Sequence, residues 1–193
     1  MITPADLPSP RNRLDPEAML AIAAGIGLDA PRHDEMPMAR DLAATLMRQE
    51  VVSVPTLRAV QAVQPAATLV FREDGIITGV CGQLLFRPSA VSAIFAGTFD
   101  AMEVDTQYLS RPGEIVALGY CWGVAASTKK AALAVIGFSK QVRETLFADL
   151  TVFTRAVTPV GRHTALNRHG YVPLRRPDDD LLIRLPERQA VAA

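Results

Sequence analysis

The sequence predicts an α/β (α+β) domain: a mixed, mostly antiparallel sheet with helices on both faces and a helical extension at its N-terminus. Three observations carry that expectation. The first third of the chain repeats its apolar residues at helical spacing. The middle holds two β-prone runs joined by Asp74-Gly75, a strong local hairpin signal. After the hairpin, β-branched runs alternate with capped helical segments up to residue 186. Length and composition fit one such domain, with 193 residues, 49% hydrophobic and 21% charged. A chain of this size buries about 70% of its unfolded surface, and its apolar fraction excludes a disordered polymer.

Each element has its own local reason. Residues 1–14 contain three prolines and read as a flexible arm. Asp15-Pro16-Glu17 starts a helix, with an N-cap acid, proline in the first turn and a further acid facing the macrodipole. It runs to the region of Gly25 and Gly27. Met38, Leu42, Thr45 and Leu46 mark the apolar stripe of a second helix, and Pro55, Leu57, Val60 and Val63 that of a third. Thr68–Phe71 and Ile76–Phe86 are the hairpin strands. A short helix is expected at Ser89–Phe95, a loop at 100–113 and a long strand at Glu114–Val124, rich in β-branched and aromatic residues. Ser127 or Thr128 caps a helix starting at Lys129. Leu150–Ala156 is apolar on both faces, as a central strand is. Thr158-Pro159 opens the last helix, with Gly170 at its end, and residues 171–174 and 181–185 form a final β pair. The organisation is thus an arm (1–14), a helical segment (15–64), a sheet domain (65–186) and a frayed tail (187–193). A helical segment lying outside a compact core would need a partner surface, so a homodimer through 15–64 is expected.

Charge and cysteine usage narrow the function classes. Twenty basic residues cancel twenty acidic ones, so no field favours nucleic acid or an anionic membrane. Cys81 and Cys121 stand apart without a Cys-x-x-Cys motif, as buried thiols of a reducing compartment do. The three histidines are scattered, and no zinc-ligand spacing occurs. There is no basic start followed by an apolar core, and Met19–Leu28 is too short to span a bilayer. A cytoplasmic protein is expected.

Only three lysines occur, and Lys129 and Lys130 lie together at the predicted helix start, after Ala125-Ala126-Ser127-Thr128. Small residues, two hydroxyls and two cations at orphan helix amides are suited to phosphate. An ordinary capped, solvated helix start has the same composition.

Residues from about 65 to 186 resemble a GNAT-type N-acetyltransferase domain. The resemblance rests on the Asp74-Gly75 hairpin, on the strand–loop–helix from Trp122 to Val135, and on the run TPVGRHTALNRHGYVPL at Thr158–Leu174. It implies that the strand before the Lys129 helix splays from the next strand, and that acetyl-CoA, or another acyl-CoA, lies in the wedge as co-substrate. The residues that would hold it are Trp122, Gly123, Val124, Ser127, Thr128, Lys129, Lys130 and Ala131, with the amides of Gly123 and Val124 on the thioester oxygen. Glu114 is the candidate catalytic base, and Glu103 and Asp105 are candidates for the acceptor pocket. The chain departs from the family twice. No glycine occurs between Gly123 and Gly137, and Leu166 stands where members carry a tyrosine that reprotonates the leaving thiolate. Two functions follow: an N-acyltransferase acting on a small amine or peptide by direct attack, or a catalytically degenerate domain that binds acyl-CoA or a protein partner without turnover. No metal is implied.

Overall fold

A computed structural model describes residues 2–156, 158–175 and 180–186. The expected tail at 187–193 therefore lies outside the described residues. So do Arg176, Asp178 and Asp179 of the charged run before the last strand.

Six α-helices and seven strands are described. Helix α1 (Pro16–Ile26) is capped by Asp15, whose carboxylate accepts from the Ala18 amide at 2.9 Å. Strand β1 (Leu28–Asp29) follows, then α2 (Met36–Met47) and α3 (Val54–Val63), the last capped by Ser53. The hairpin strands are β2 (Thr68–Glu73) and β3 (Ile76–Phe86), and Asp74 and Gly75 both adopt positive φ. This is the primed turn that the Asp-Gly pair predicts. The chain continues through α4 (Val91–Ala96), β4 (Leu118–Ala126), α5 (Lys129–Thr145), β5 (Thr151–Arg155), α6 (Pro159–Arg168), β6 (Val172–Pro173) and β7 (Leu181–Arg184).

The strands form one sheet in the order β1-β2-β3-β4-β5-β7-β6. Every neighbouring pair is antiparallel except β4–β5. Helices cover both faces, as the alternation of strand residues requires. On one face Leu69, Phe71 and Cys81 pack with Met19 and Ala23 of α1 and with Ala131, Val135 and Phe138 of α5. On the other, Val70 and Val80 meet Ala39 of α2, while Leu84 and Phe86 meet Val60 of α3.

Several local expectations are corrected. The buried face of α2 is Met36 and Ala39, and Met38 and Leu46 are exposed. Residues 12–14 are not a loose arm. Leu14 is buried, its amide donates to the Glu114 carbonyl at 2.9 Å, and the Val116 amide donates to Asn12. The long strand begins at Leu118, because Glu114 lies in the preceding turn. The buried residues of α1–α3 pack on their own chain's sheet, while Met38 and Leu46 leave apolar surface of α2 exposed.

Two bulges shape the site. Phe71 pairs with Gly79 but Arg72 with Ile77, which leaves Thr78 as an extra residue. Gly82 pairs with Gly123 but Gln83 with Cys121, which leaves Trp122 extra. A bulge bends its strand and re-aims the side chain beside it.

Candidate functional site

Strands β4 and β5 pair only over Leu118–Cys121 and Thr151–Thr154. Beside the last pair, Thr154 Oγ1 donates to the Cys121 carbonyl at 3.1 Å. Beyond it β4 continues to Ala126, and its β5 side meets no strand among the described residues. The Ser127 amide donates across to Thr78 at 2.8 Å, so the ladder's alternation turns the amides of Val124 and Ala126 away from β3. They point into the opening between the two strands. Strand separation of this kind leaves backbone donors that something else must satisfy.

At the far end of this edge, Thr128 caps α5 by accepting from the Ala131 amide at 3.1 Å. Its hydroxyl also donates to Glu73 Oε2 at 2.6 Å, and Thr78 Oγ1 donates to the same oxygen at 2.9 Å. Both hydroxyls, with Lys130 nearby, hold the Glu73 carboxyl below its ordinary range. The Thr78 bulge is what brings these groups together. A carboxylate of the chain itself thus sits at the helix start where the sequence suggested room for phosphate.

The other predicted contacts divide between this opening and elsewhere. Ser127 Oγ donates to the Thr78 carbonyl at 3.2 Å. Lys129 is exposed, and the Lys130 ammonium lies 5.7 Å from the centre of the Phe71 ring. Ala131 is fully buried beneath the helix, so its side chain faces the core. Val124 is exposed along the opened edge. Trp122 donates its indole N–H to the Ala101 carbonyl at 2.8 Å and packs between the α2–α3 side and the 95–101 loop. Gly123 faces α2 closely enough that a Cβ there would stand 2.9 Å from Met47 Cε.

Glu114 is not brought to the opening. It lies in the bend before β4, at the opposite end of the β4–β5 pairing from the opening, and that pairing alone is roughly 10 Å long over Leu118–Cys121. Its carboxylate accepts from the Arg111 amide at 2.8 Å and from Arg87 Nη2 at 2.6 Å, and both contacts lower its pKa. Asp105 caps a short turn by accepting from the Gln107 amide at 3.0 Å, and Glu103 is exposed. Neither lines the cavity described next.

That cavity, of about 110 Å³, lies on the α2–α3 face where β4 and β5 begin to part. Tyr120 and Arg155 line it from the sheet, Gly97, Phe99 and Ala101 from the segment after α4, and Arg175 and Asp180 from either side of the last strand pair's connection. Phe99 stands edge-on to Tyr120, with ring centres 5.5 Å apart. Burial pushes the Tyr120 hydroxyl up to about 12, so it is a neutral donor. No local motif marks Arg175 or Asp180, because they reach the cavity only through the pairing of Arg155 with Leu181.

The thiols are not nucleophiles. Burial raises Cys81 to about 12 and raises Cys121 as well. Leu166 on α6 has no proton to give, and burial raises Tyr171, which lies near Cys121. Among the described residues no group of His, Cys, Asp or Glu could hold a metal ion, and no helix is long and apolar enough to cross a membrane.

Comparison with known proteins adds little to this geometry. No family model and no curated protein matches the chain. Among solved structures, the chain is similar to one described as histone acetyltransferase HPA2 and related acetyltransferase from Corynebacterium glutamicum. The two are 19% identical over 82% of this chain and 95% of that one, with a TM-score of 0.42. At that score the fold is read from the sheet itself.

Proposed function

We propose that this chain is an N-acyltransferase that uses an acyl thioester, acetyl-CoA or another acyl-CoA, and acts on a small amine. One observation carries the proposal: beyond Cys121 the edge of β4 meets no strand among the described residues, and its Val124 and Ala126 amides face an opening beside a polar cavity. Backbone donors held in a fixed frame are what a thioester oxygen needs as it gains charge. When bound, the thioester supplies an activated carbonyl. An amine nitrogen bonds to its carbon, the C–S bond breaks, and the thiolate and one proton leave. The chain's own part is positioning. Tyr120, Arg155 and the 97–101 loop would hold the acceptor, and Val124 would orient the carbonyl. Glu114 lies too far away to serve as base in this arrangement.

A second reading has its own observation. Glu73 at the start of α5 opposes a pyrophosphate there, and Leu166 cannot protonate a thiolate. Both favour a domain that binds an acyl thioester, or a protein partner, without turnover. In either case Ser127–Lys130 meet phosphate only if Glu73 gives way.

Calorimetric titration with CoA and acetyl-CoA, followed by a thiol-release assay over a panel of amines, tests both. Binding with release supports the transferase. Binding without release from any amine supports the second reading, and no binding at millimolar ligand overturns both.

A further inference from the structure

The amine taken at this site carries a carboxylate: we infer that the cavity lined by Arg155, Arg175, Asp180 and Tyr120 is a binding site for a small amino acid of the size of glycine or alanine. The assignment of this ligand as acyl acceptor rests on the reading above. The binding site itself does not.

Charge is the first reason. The described residues that line the cavity include two guanidinium groups, of Arg155 and Arg175, and one carboxylate, of Asp180, which are the complements of a ligand carboxylate and ammonium. Arg155 Nε lies 3.3 Å from Asp180 Oδ2, and about half of each side chain is exposed. An ion pair this open contributes little, so a ligand carboxylate can exchange for Asp180 at small cost. Asp180 is then beside the ligand's ammonium.

Preorganisation is the second. Arg175 Nη2 donates to the Phe95 carbonyl at 3.2 Å, and its guanidinium lies flat against Gly97. Gly97 has φ +77°, and a Cβ there would collide with the Arg175 nitrogens. One end of the planar fork, Nη2, is therefore anchored on the Phe95 carbonyl. A fixed guanidinium fork matches a carboxylate in geometry as well as charge. Phe99 and Ile94 add apolar surface to the same cavity.

Size is the third. A cavity of about 110 Å³ is smaller than the ~150 Å³ that encloses benzene. It has room for a carboxylate, its α-carbon and a small substituent.

Ligand-observed NMR titration of the full chain with glycine, L-alanine and ethylamine, at constant ionic strength, tests the assignment. Glycine and alanine should bind at least about tenfold more tightly than ethylamine, which lacks the carboxylate. Arg175→Ala should weaken glycine about tenfold and leave ethylamine unchanged. Arg155→Lys keeps the charge but loses the fork, so a weakened glycine titration with unchanged circular dichroism assigns the effect to recognition. Gly97→Ala should weaken glycine through Arg175. Ethylamine binding as tightly as glycine, no binding by any probe, or indifference to both arginine variants overturns the site. Glycine binding without thiol release from acetyl-CoA leaves the site standing and removes the transferase. Release that is as fast with ethylamine as with glycine does the reverse.

Discussion

Glu73 Oε2 accepts a hydrogen bond of 2.6 Å from Thr128 Oγ1, the hydroxyl that caps α5. The contact joins the turn end of the β2–β3 hairpin to the helix start and places a negative charge where a phosphate would otherwise be welcome. Replacing Glu73 by Gln keeps an acceptor for Thr128 but removes the charge. CoA affinity should then rise by about threefold or more at low salt, and the gain should shrink as salt is added. Titration calorimetry at two ionic strengths checks this. An unchanged affinity would mean that no phosphate comes near α5.

Buried charge makes stability depend on pH at the start of α2. Glu35 is 1% exposed and accepts from Arg72 Nη2 at 2.6 Å and Nε at 2.9 Å. The Arg72 bond is the main cause that lowers its pKa to about 2. A carboxylate whose folded pKa is depressed contributes its stability above its unfolded pKa, near 4.5. That contribution is lost as pH falls through the window down to 2. Urea midpoints between pH 7 and pH 3 should fall for the native chain and fall less for Glu35→Gln. Arg72→Met at pH 7 should cost about 2–3 kcal/mol, below the usual range for a fully buried pair because Arg72 is partly exposed.

Gln64 ties β3 to the 108–110 segment that bridges it at Phe86 and Leu109. Its amide donates to the Ser110 carbonyl at 2.9 Å and to the Leu85 carbonyl, and its oxygen accepts from the Leu85 amide at 3.1 Å. β2 pairs with β3 only as far as Gly82, so these groups lie beyond the ladder. Gln64→Leu should cost about 2–3 kcal/mol in chemical denaturation by leaving buried backbone groups unpaired. Gln64→Glu should cost more, since it loses both donors.

Gly79 marks how closely α5 approaches the sheet. A Cβ there would stand 3.0 Å from Ala131 Cβ, 3.2 Å from Phe71 Cβ and 3.3 Å from Val135 Cγ1. These neighbours belong to a packed layer, so Gly79→Ala should destabilise by about 1–3 kcal/mol. Gly25→Ala, which meets nothing within 4 Å and lies inside α1, should stabilise by up to about 1 kcal/mol. Opposite shifts in thermal midpoint check the pair. Equal effects would show that the contact at Gly79 does not decide the outcome.

Features that depend on a few adjacent residues were legible. The Asp74-Gly75 turn and the caps at Asp15, Thr128 and Thr158 follow from local backbone chemistry, and the structure has them all. The α2 stripe was misjudged because two overlapping apolar stripes compete there, and only the sheet's contour selects Met36 and Ala39 over Met38 and Leu46. Residues 1–14 read as loose for the same reason. The rung that Asn12 and Leu14 make with residues 113–116 joins segments one hundred positions apart.

By itself, then, the sequence determined the mixed sheet, the Asp74-Gly75 hairpin and the capped starts of α1, α5 and α6, because propensity, capping and turn conformation act over a few residues. Tertiary structure decided the site. The bulge at Thr78 brought Glu73 to Thr128, the short β4–β5 pairing freed the Val124 edge, and the β5–β7 register set Arg155 against Asp180. Each depends on register between distant strands, and a shift of one residue would turn the same side chains to the opposite face.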